Sequence, residues 1–109
     1  MIPIRIQTDK KLFRYYTGFS FFIFIFYWKG VREKEIIINH ELIHFYQQLE
    51  MLFVFHWLLY LLFYLIARLK GKNHDTAYYN IPFEKEAYTF EHNLHYIRRR
   101  KLFAWVKFI

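Results

Sequence analysis

The sequence predicts an α+β fold, with short β-strands at the N-terminus followed by a helical core. Three observations carry this reading. Residues 2–28 hold alternating or clustered Ile and Phe, nothing from His40 to Lys70 interrupts a helix, and apolar residues after Pro82 recur at helical spacing. The length of 109 residues suits one domain over 1–109. At 56% hydrophobic and 25% aromatic residues, disorder is excluded and an aromatic core is expected. The lack of cysteine excludes disulfides, thiolate metal sites and cysteine nucleophiles, so any metal must use His and carboxylate.

Residues 2–7 place Ile2, Ile4 and Ile6 in alternation with Arg5 and Gln7, the pattern of a half-buried strand, and residues 9–11 read as a turn. The apolar stretch 15–28 is broken by Thr17, Gly18 and Ser20, and its Phe/Ile content suits a strand over 20–28. Lys29 and Gly30 end it. Residues 35–39 form a β-branched run leading into a helix for which Asn39 is the expected N-cap. From His40 to Lys70 a single helix would hold 31 residues, far above the usual length. Run straight from His44 to Gly71 it would extend ~40 Å, and the chain to residue 83 could barely return that distance fully stretched. A sharp bend near residues 49–53 is therefore expected, with the apolar helix folding back. Residues 71–82 read as a loop that ends where Pro82 opens another helix. There Phe83, Ala87, Phe90, Leu94 and Ile97 make one apolar stripe, expected to pack on the helix of His40.

Residues 40–44 spell HELIH. On a helix, His40 and His44 lie one turn apart on one face, so both imidazoles reach one metal. Such a pair supplies two nitrogen ligands to Zn²⁺, and Glu41 between them can act as general base toward a water that the metal polarises. Catalytic zinc needs a third protein ligand. The helix after Pro82 offers Glu84, Glu86 and Glu91. Glu84 and Glu86 point about 200° apart, so only one can face the metal. Glu86 projects nearer the apolar stripe, whereas Ala87 permits close helix approach beside Glu84 and the Tyr88 hydroxyl can orient it. Among other histidines, His56 in the apolar run reads as a buried, hydrogen-bonded ring, His74 as a loop residue without a partner, and His92 and His95 as solvated or oxyanion-stabilising.

The strand followed by HELIHFYQQLE, with NIPFEKEAY about 40 residues later, resembles a family of small bacterial zinc-peptidase-like proteins common in Bacteroidetes. More distantly it is similar to gluzincin metallopeptidases, in which HExxH is completed by a Glu in an E-x-x-A-D motif. The first likeness spans nearly the whole chain, the second only the two motifs. The resemblance implies a zincin-like core of HExxH helix, apolar helix and ExxA helix. It also implies His40, His44 and Glu84 as Zn²⁺ ligands, Glu41 as the catalytic base, and a peptide or protein substrate. The pattern departs at Tyr88, where many gluzincins carry an Asp that orients a ligating His.

Sixteen Lys and Arg against nine Asp and Glu give a formal charge of +7, suited to anionic lipid, nucleic acid or an acidic partner. No nucleic-acid-binding motif accompanies it, so no nucleic-acid partner is expected. Residues 1–8 lack the apolar run of a signal peptide. Residues 51–67 are apolar all round apart from His56, and would extend only ~25 Å as a helix, just short of a hydrocarbon core. The tail sets RRRK before Leu102, Phe103, Trp105 and Phe108, as in interfacial anchors. These features predict association with the bacterial cell membrane, with lipid as a partner and a protein partner possible in a membrane complex. A zinc metallopeptidase is the first functional expectation. The second is a non-catalytic membrane or envelope component that keeps a zincin-like fold and acts by binding.

Overall fold

The Phe/Ile-rich stretch folds as two strands rather than one. In the computed structural model, which describes residues 3–9, 18–30 and 33–109, β1 (Ile4–Thr8), β2 (Gly18–Phe21) and β3 (Phe24–Trp28) form one sheet in the order β1-β3-β2. β1 pairs parallel to β3, with Ile6 opposite Phe26, and β2 pairs antiparallel, with Phe19 opposite Phe26. The reversal falls at Phe22, whose φ of 53° is left-handed. No Gly, Asn or Pro marks it. The backbone N–H of Phe22 is held by Gln48 Oε1 at 3.0 Å, so a contact from a distant helix fixes the turn. The turn expected over residues 9–11 lies, beyond Asp9, outside the described residues.

Among the described residues five helices follow, α1 (Lys34–Glu50), α2 (Val54–Leu69), α3 (His74–Tyr79), α4 (Pro82–Phe90) and α5 (Tyr96–Arg99), closed by a 3₁₀ helix at Ala104–Phe108. Helix α1 begins five residues before the expected N-cap, and the β-branched run Ile36 to Ile38 is helical. Packing against β2 and β3 overrides its weak helix propensity. Asn39 is buried inside α1, where its Nδ2 donates to the carbonyls of Glu91 (2.7 Å) and Asn93 (3.0 Å). It thus serves the open C-terminal end of α4. That side-chain cap also explains why α4 stops at Phe90 instead of continuing through Leu94 to Ile97. Leu94 is exposed and a separate short helix, α5, carries Ile97.

The long apolar run bends as expected. α1 and α2 meet at 113° across residues 51–53. Leu52 (φ 54°) and Phe53 (φ 60°, ψ −60°) are both left-handed, and Val54 N–H donates to the Leu52 carbonyl at 2.6 Å. Phe53 is therefore the centre of a γ-turn of the rare positive-φ kind. No single helix among the described residues is long and apolar enough to cross a membrane. At its far end α2 stops at Gly71 (φ 87°), where Gly71 N–H donates to Arg68 O (3.0 Å) and Lys72 N–H to Ala67 O (3.2 Å). This paired C-terminal motif needs the left-handed residue that glycine supplies. The following segment is not all loop: Asn73 accepts from Thr76 N–H at 2.9 Å and caps α3. Pro82 opens α4 at its first turn, as its fixed φ favours.

His56, Tyr60, Phe63 and Ala67 turn the inner face of α2 onto Phe83, Met51 and Trp105. Its outer face, with Phe55, Leu58, Leu62 and Leu65, is exposed. The tail is a clamp as well as an exposed basic segment. Arg100 is buried and reaches both Glu86 (Nε to Oε2, 2.6 Å) and Glu50 (Nη2 to Oε1, 2.8 Å), while Trp105 enters the core. Leu102 and Phe103 remain exposed.

Candidate metal centre

Helix α1 buries polar residues where an amphipathic helix would bury apolar ones: Asn39, His40, Glu41, His44, Gln47 and Gln48 are all inside. Burying them requires partners. α1 finds these on α4 and α2, and its two histidines converge on one point. His40 Nε2 lies 3.2 Å from Glu84 Oε1, His44 Nε2 lies 3.0 Å from the same oxygen, and the two Nε2 atoms are 3.1 Å apart. Three lone-pair atoms from His40, His44 and Glu84 form a buried triangle that could hold a metal ion. Ligands bonded at ~2.0–2.1 Å to a tetrahedral zinc stand ~3.3 Å apart. The triangle is within a few tenths of an ångström of that.

Each ligating side chain is oriented from behind. His44 Nδ1 lies 2.8 Å from Gln47 Oε1, and the Gln47 amide donates to the Phe83 carbonyl (3.0 Å) and to Glu86 Oε1 (2.9 Å). Gln47 has no hydrogen left for His44, so His44 carries its proton on Nδ1 and leaves Nε2 for the site. His40 Nδ1 faces Glu91 Oε2 at 3.4 Å, which fixes that ring in the same sense. Tyr60 donates to Glu84 Oε2 at 2.7 Å, leaving Oε1 for the triangle. The hydroxyl that orients Glu84 is thus Tyr60, not Tyr88. The Tyr88 ring instead packs edge-on against His40, 4.5 Å between centroids. The carboxylate behind His40 is Glu91, one turn after Tyr88.

Glu86 is fully buried but faces away. It accepts from Tyr96 Oη at 2.8 Å, from Gln47 and from Arg100, so of the two candidate glutamates the structure brings Glu84 to the histidines. Small Ala87 lies in the packed layer with Ile43 and Tyr96, as close helix approach requires. His56 is buried as expected but not hydrogen-bonded: neither ring nitrogen has a partner among the described residues. His74 is in the first turn of α3 with a partner, Tyr64 Oη at 2.9 Å from its Nδ1. His92 and His95 are exposed and outside the triangle.

The charges explain one another. Burial by itself would push His40 down, but the hydrogen bonds to Glu84 and Glu91 and the nearby charge of Glu41 raise it to about 10. His44 is likewise raised against its burial, through Glu84, and Glu84 is lowered against its burial, by His44 and His40. In this arrangement the Glu84 carboxylate favours positive charge on the two imidazoles. Glu41, buried beside it, is raised by burial, with His40 and His44 opposing. His56 is lowered to about 3 by burial and so is a neutral ring. Gly18 explains how Glu41 fits: a Cβ there would stand 2.6 Å from Ile37 Cγ2 and 3.1 Å from Glu41 Oε2. Only glycine lets β2 approach α1 this closely.

Two cavities flank Glu41 and share it. One, of about 560 Å³, is of mixed polarity and includes His40, Asp75, Tyr88 and Glu91. The other, of about 500 Å³, lies between β2 and α2 and is lined mainly by rings, among them Phe21, Trp57 and Tyr64, together with His44 and Glu84 of the triangle. The HELIH pair could be found by spacing, whereas spacing leaves Glu84 and Glu86 open, and the neighbours Ala87 and Tyr88 and the family resemblance favour Glu84. Gln47, Tyr60 and Glu91 could not be assigned roles, although Gln47 stands one turn after His44 and Glu91 two turns after Glu84. No family model matches this chain, and neither the curated proteins nor the solved structures include a match for it.

Proposed function

We propose that this protein is a zinc-dependent metallopeptidase-like hydrolase with a zincin-like core, cleaving peptide bonds at a membrane surface. One observation carries the chemistry: His40 Nε2, His44 Nε2 and Glu84 Oε1 converge within 3.0–3.2 Å, with buried Glu41 on the wall of the adjoining cavities. Two imidazoles and one carboxylate suit Zn²⁺ better than Mg²⁺ or Ca²⁺. When bound, Zn²⁺ supplies a Lewis acid that acidifies water and polarises a carbonyl. Glu41 does the proton work. Burial raises its pKa and so makes it a stronger base, which would take a proton from the attacking water and deliver it to the amine nitrogen as the C–N bond breaks. β2, at the edge of the described sheet, borders the cleft and can align an extended peptide.

Glu41→Gln is expected to retain one zinc per chain while abolishing cleavage of a peptide library. Cleavage at the wild-type rate by this variant would refute the mechanism. The exposed outer face of α2 favours a membrane location and also feeds the second reading, a non-catalytic envelope component that holds a partner. Zinc binding without any cleavage would select that reading. The bent α1–α2 pair, the exposed Leu102 and Phe103, and the +7 charge support an interfacial seat on anionic lipid instead of a span. Detergent should release the protein from membranes and high salt should not; complete release by salt would exclude embedding.

A further inference from the structure

The cavity between β2 and α2 has a built wall. Phe21 stacks on Trp57 with centroids 4.7 Å apart and planes at 9°. Trp57 Nε1 donates to Gln48 Oε1 at 2.9 Å, and that same oxygen accepts from Phe22 N–H, while the Gln48 amide donates to Ser20 Oγ at 3.0 Å. One buried side chain of α1 therefore locks the aromatic wall, the strand turn and the start of α2 together. The inner side carries the neutral ring of His56, packed 4.3 Å from Phe83, and Leu61 stands half-exposed at the margin. The adjoining cavity, which shares Glu41, is of mixed polarity and includes Asp75 and Glu91. A chain bound over Glu41 thus meets a wall of rings in one cavity and a more polar lining, with Asp75 and Glu91, in the other.

We propose that the β2–α2 cavity is a specificity subsite that seats a large apolar side chain of a bound peptide, next to the bond presented to Glu41. The inference rests on the peptidase reading for where the peptide lies, but binding can be measured apart from turnover. Continuity with the wall of Glu41 argues for a peptide side chain as the occupant. A wall ordered in advance by Gln48 favours a ring or branched group over a flexible chain, because little ordering is left to be done on binding.

The test uses full-length, zinc-loaded Glu41→Gln protein and calorimetric titration with N-acetyl-Gly-Phe-Gly-amide and its Ala counterpart. The Phe peptide should bind at least about tenfold more tightly, since each methylene in such a pocket is worth roughly that or more. Leu61→Trp, a change at a half-exposed position, should fill the margin and remove the preference while leaving the urea unfolding midpoint and the zinc stoichiometry unchanged. Equal binding of the two peptides, a preference that survives Leu61→Trp, or no measurable binding of the Phe peptide would each overturn the proposal. So would equally strong competition by a dodecyl chain lacking any peptide group, which would assign the cavity to lipid. A Phe preference in binding without cleavage by the wild type leaves the subsite standing and refutes hydrolysis. Cleavage without any apolar preference refutes the subsite alone.

Discussion

His40 and His44 each spend one ring nitrogen on the site and the other on a partner, Glu91 and Gln47, that sets the ring's orientation. Without a metal, Glu84 draws protons onto this cluster, and His40 holds one up to about 10 against an ordinary value of 6.5. A raised folded-state pKa stabilises the metal-free fold fully below 6.5, and that stabilisation is lost as pH rises through about 10. The lowered Glu84 contributes in the opposite sense, losing its share as pH falls below the carboxylate range. Zinc must displace the His40 proton. Its affinity should therefore rise at least about tenfold per pH unit between pH 7 and 9, with at least one proton released per ion, since His44 is raised too. Calorimetry in buffers of different ionisation enthalpy reads both, and pH-independent binding would contradict the charge assignment. At this scale the sequence was informative where chemistry is local. The i, i+4 spacing of His40 and His44 and the small Ala87 beside Glu84 could be read directly. Tyr60 and Gln48 act across helices, and nothing at their own positions announces it.

The bend between α1 and α2 was legible because chain length forbids a straight helix, yet its mechanism was not, since no Gly or Pro marks residues 51–53. The turn is held in left-handed backbone at Leu52 and Phe53. Leu52 is 71% exposed, so its side chain contributes little packing to offset that strain. Leu52→Gly should stabilise the protein by ~0.5–1 kcal/mol, the left-handed penalty less the greater unfolded entropy of glycine. Urea unfolding measures it, and a loss of stability would show that the bend is not strained. The same reason hid the β2–β3 reversal at Phe22, which Gln48 holds from α1. It hid the end of α4 too, where Asn39 supplies the cap from another helix. Pro82 and Gly71, whose signals are their own backbones, were read correctly.

Across the whole molecule, Arg100 joins the tail to the site's supports. Glu50, Glu86 and Arg100 are buried together, and Glu86 also holds Gln47, which holds His44. A run of RRRK gives no sign that the side chain of its third member is buried while Arg98 and Arg99 stay outside. Removing the charge partner of such a cluster costs about 3–5 kcal/mol. Glu86→Ala would therefore confound folding with metal binding, and Glu86→Gln, which keeps the volume and one of the two accepting oxygens, is the milder control once urea unfolding shows that it folds. The central claim is that His40, His44 and Glu84 hold one zinc, and a chelator-competition zinc titration of the wild type, Glu84→Ala and Glu86→Gln tests it most directly. The account predicts one ion per chain, an affinity lowered at least about tenfold by Glu84→Ala, and a change of no more than a few-fold in Glu86→Gln. Wild-type protein that binds no stoichiometric zinc, or a larger loss in Glu86→Gln than in Glu84→Ala, would contradict it.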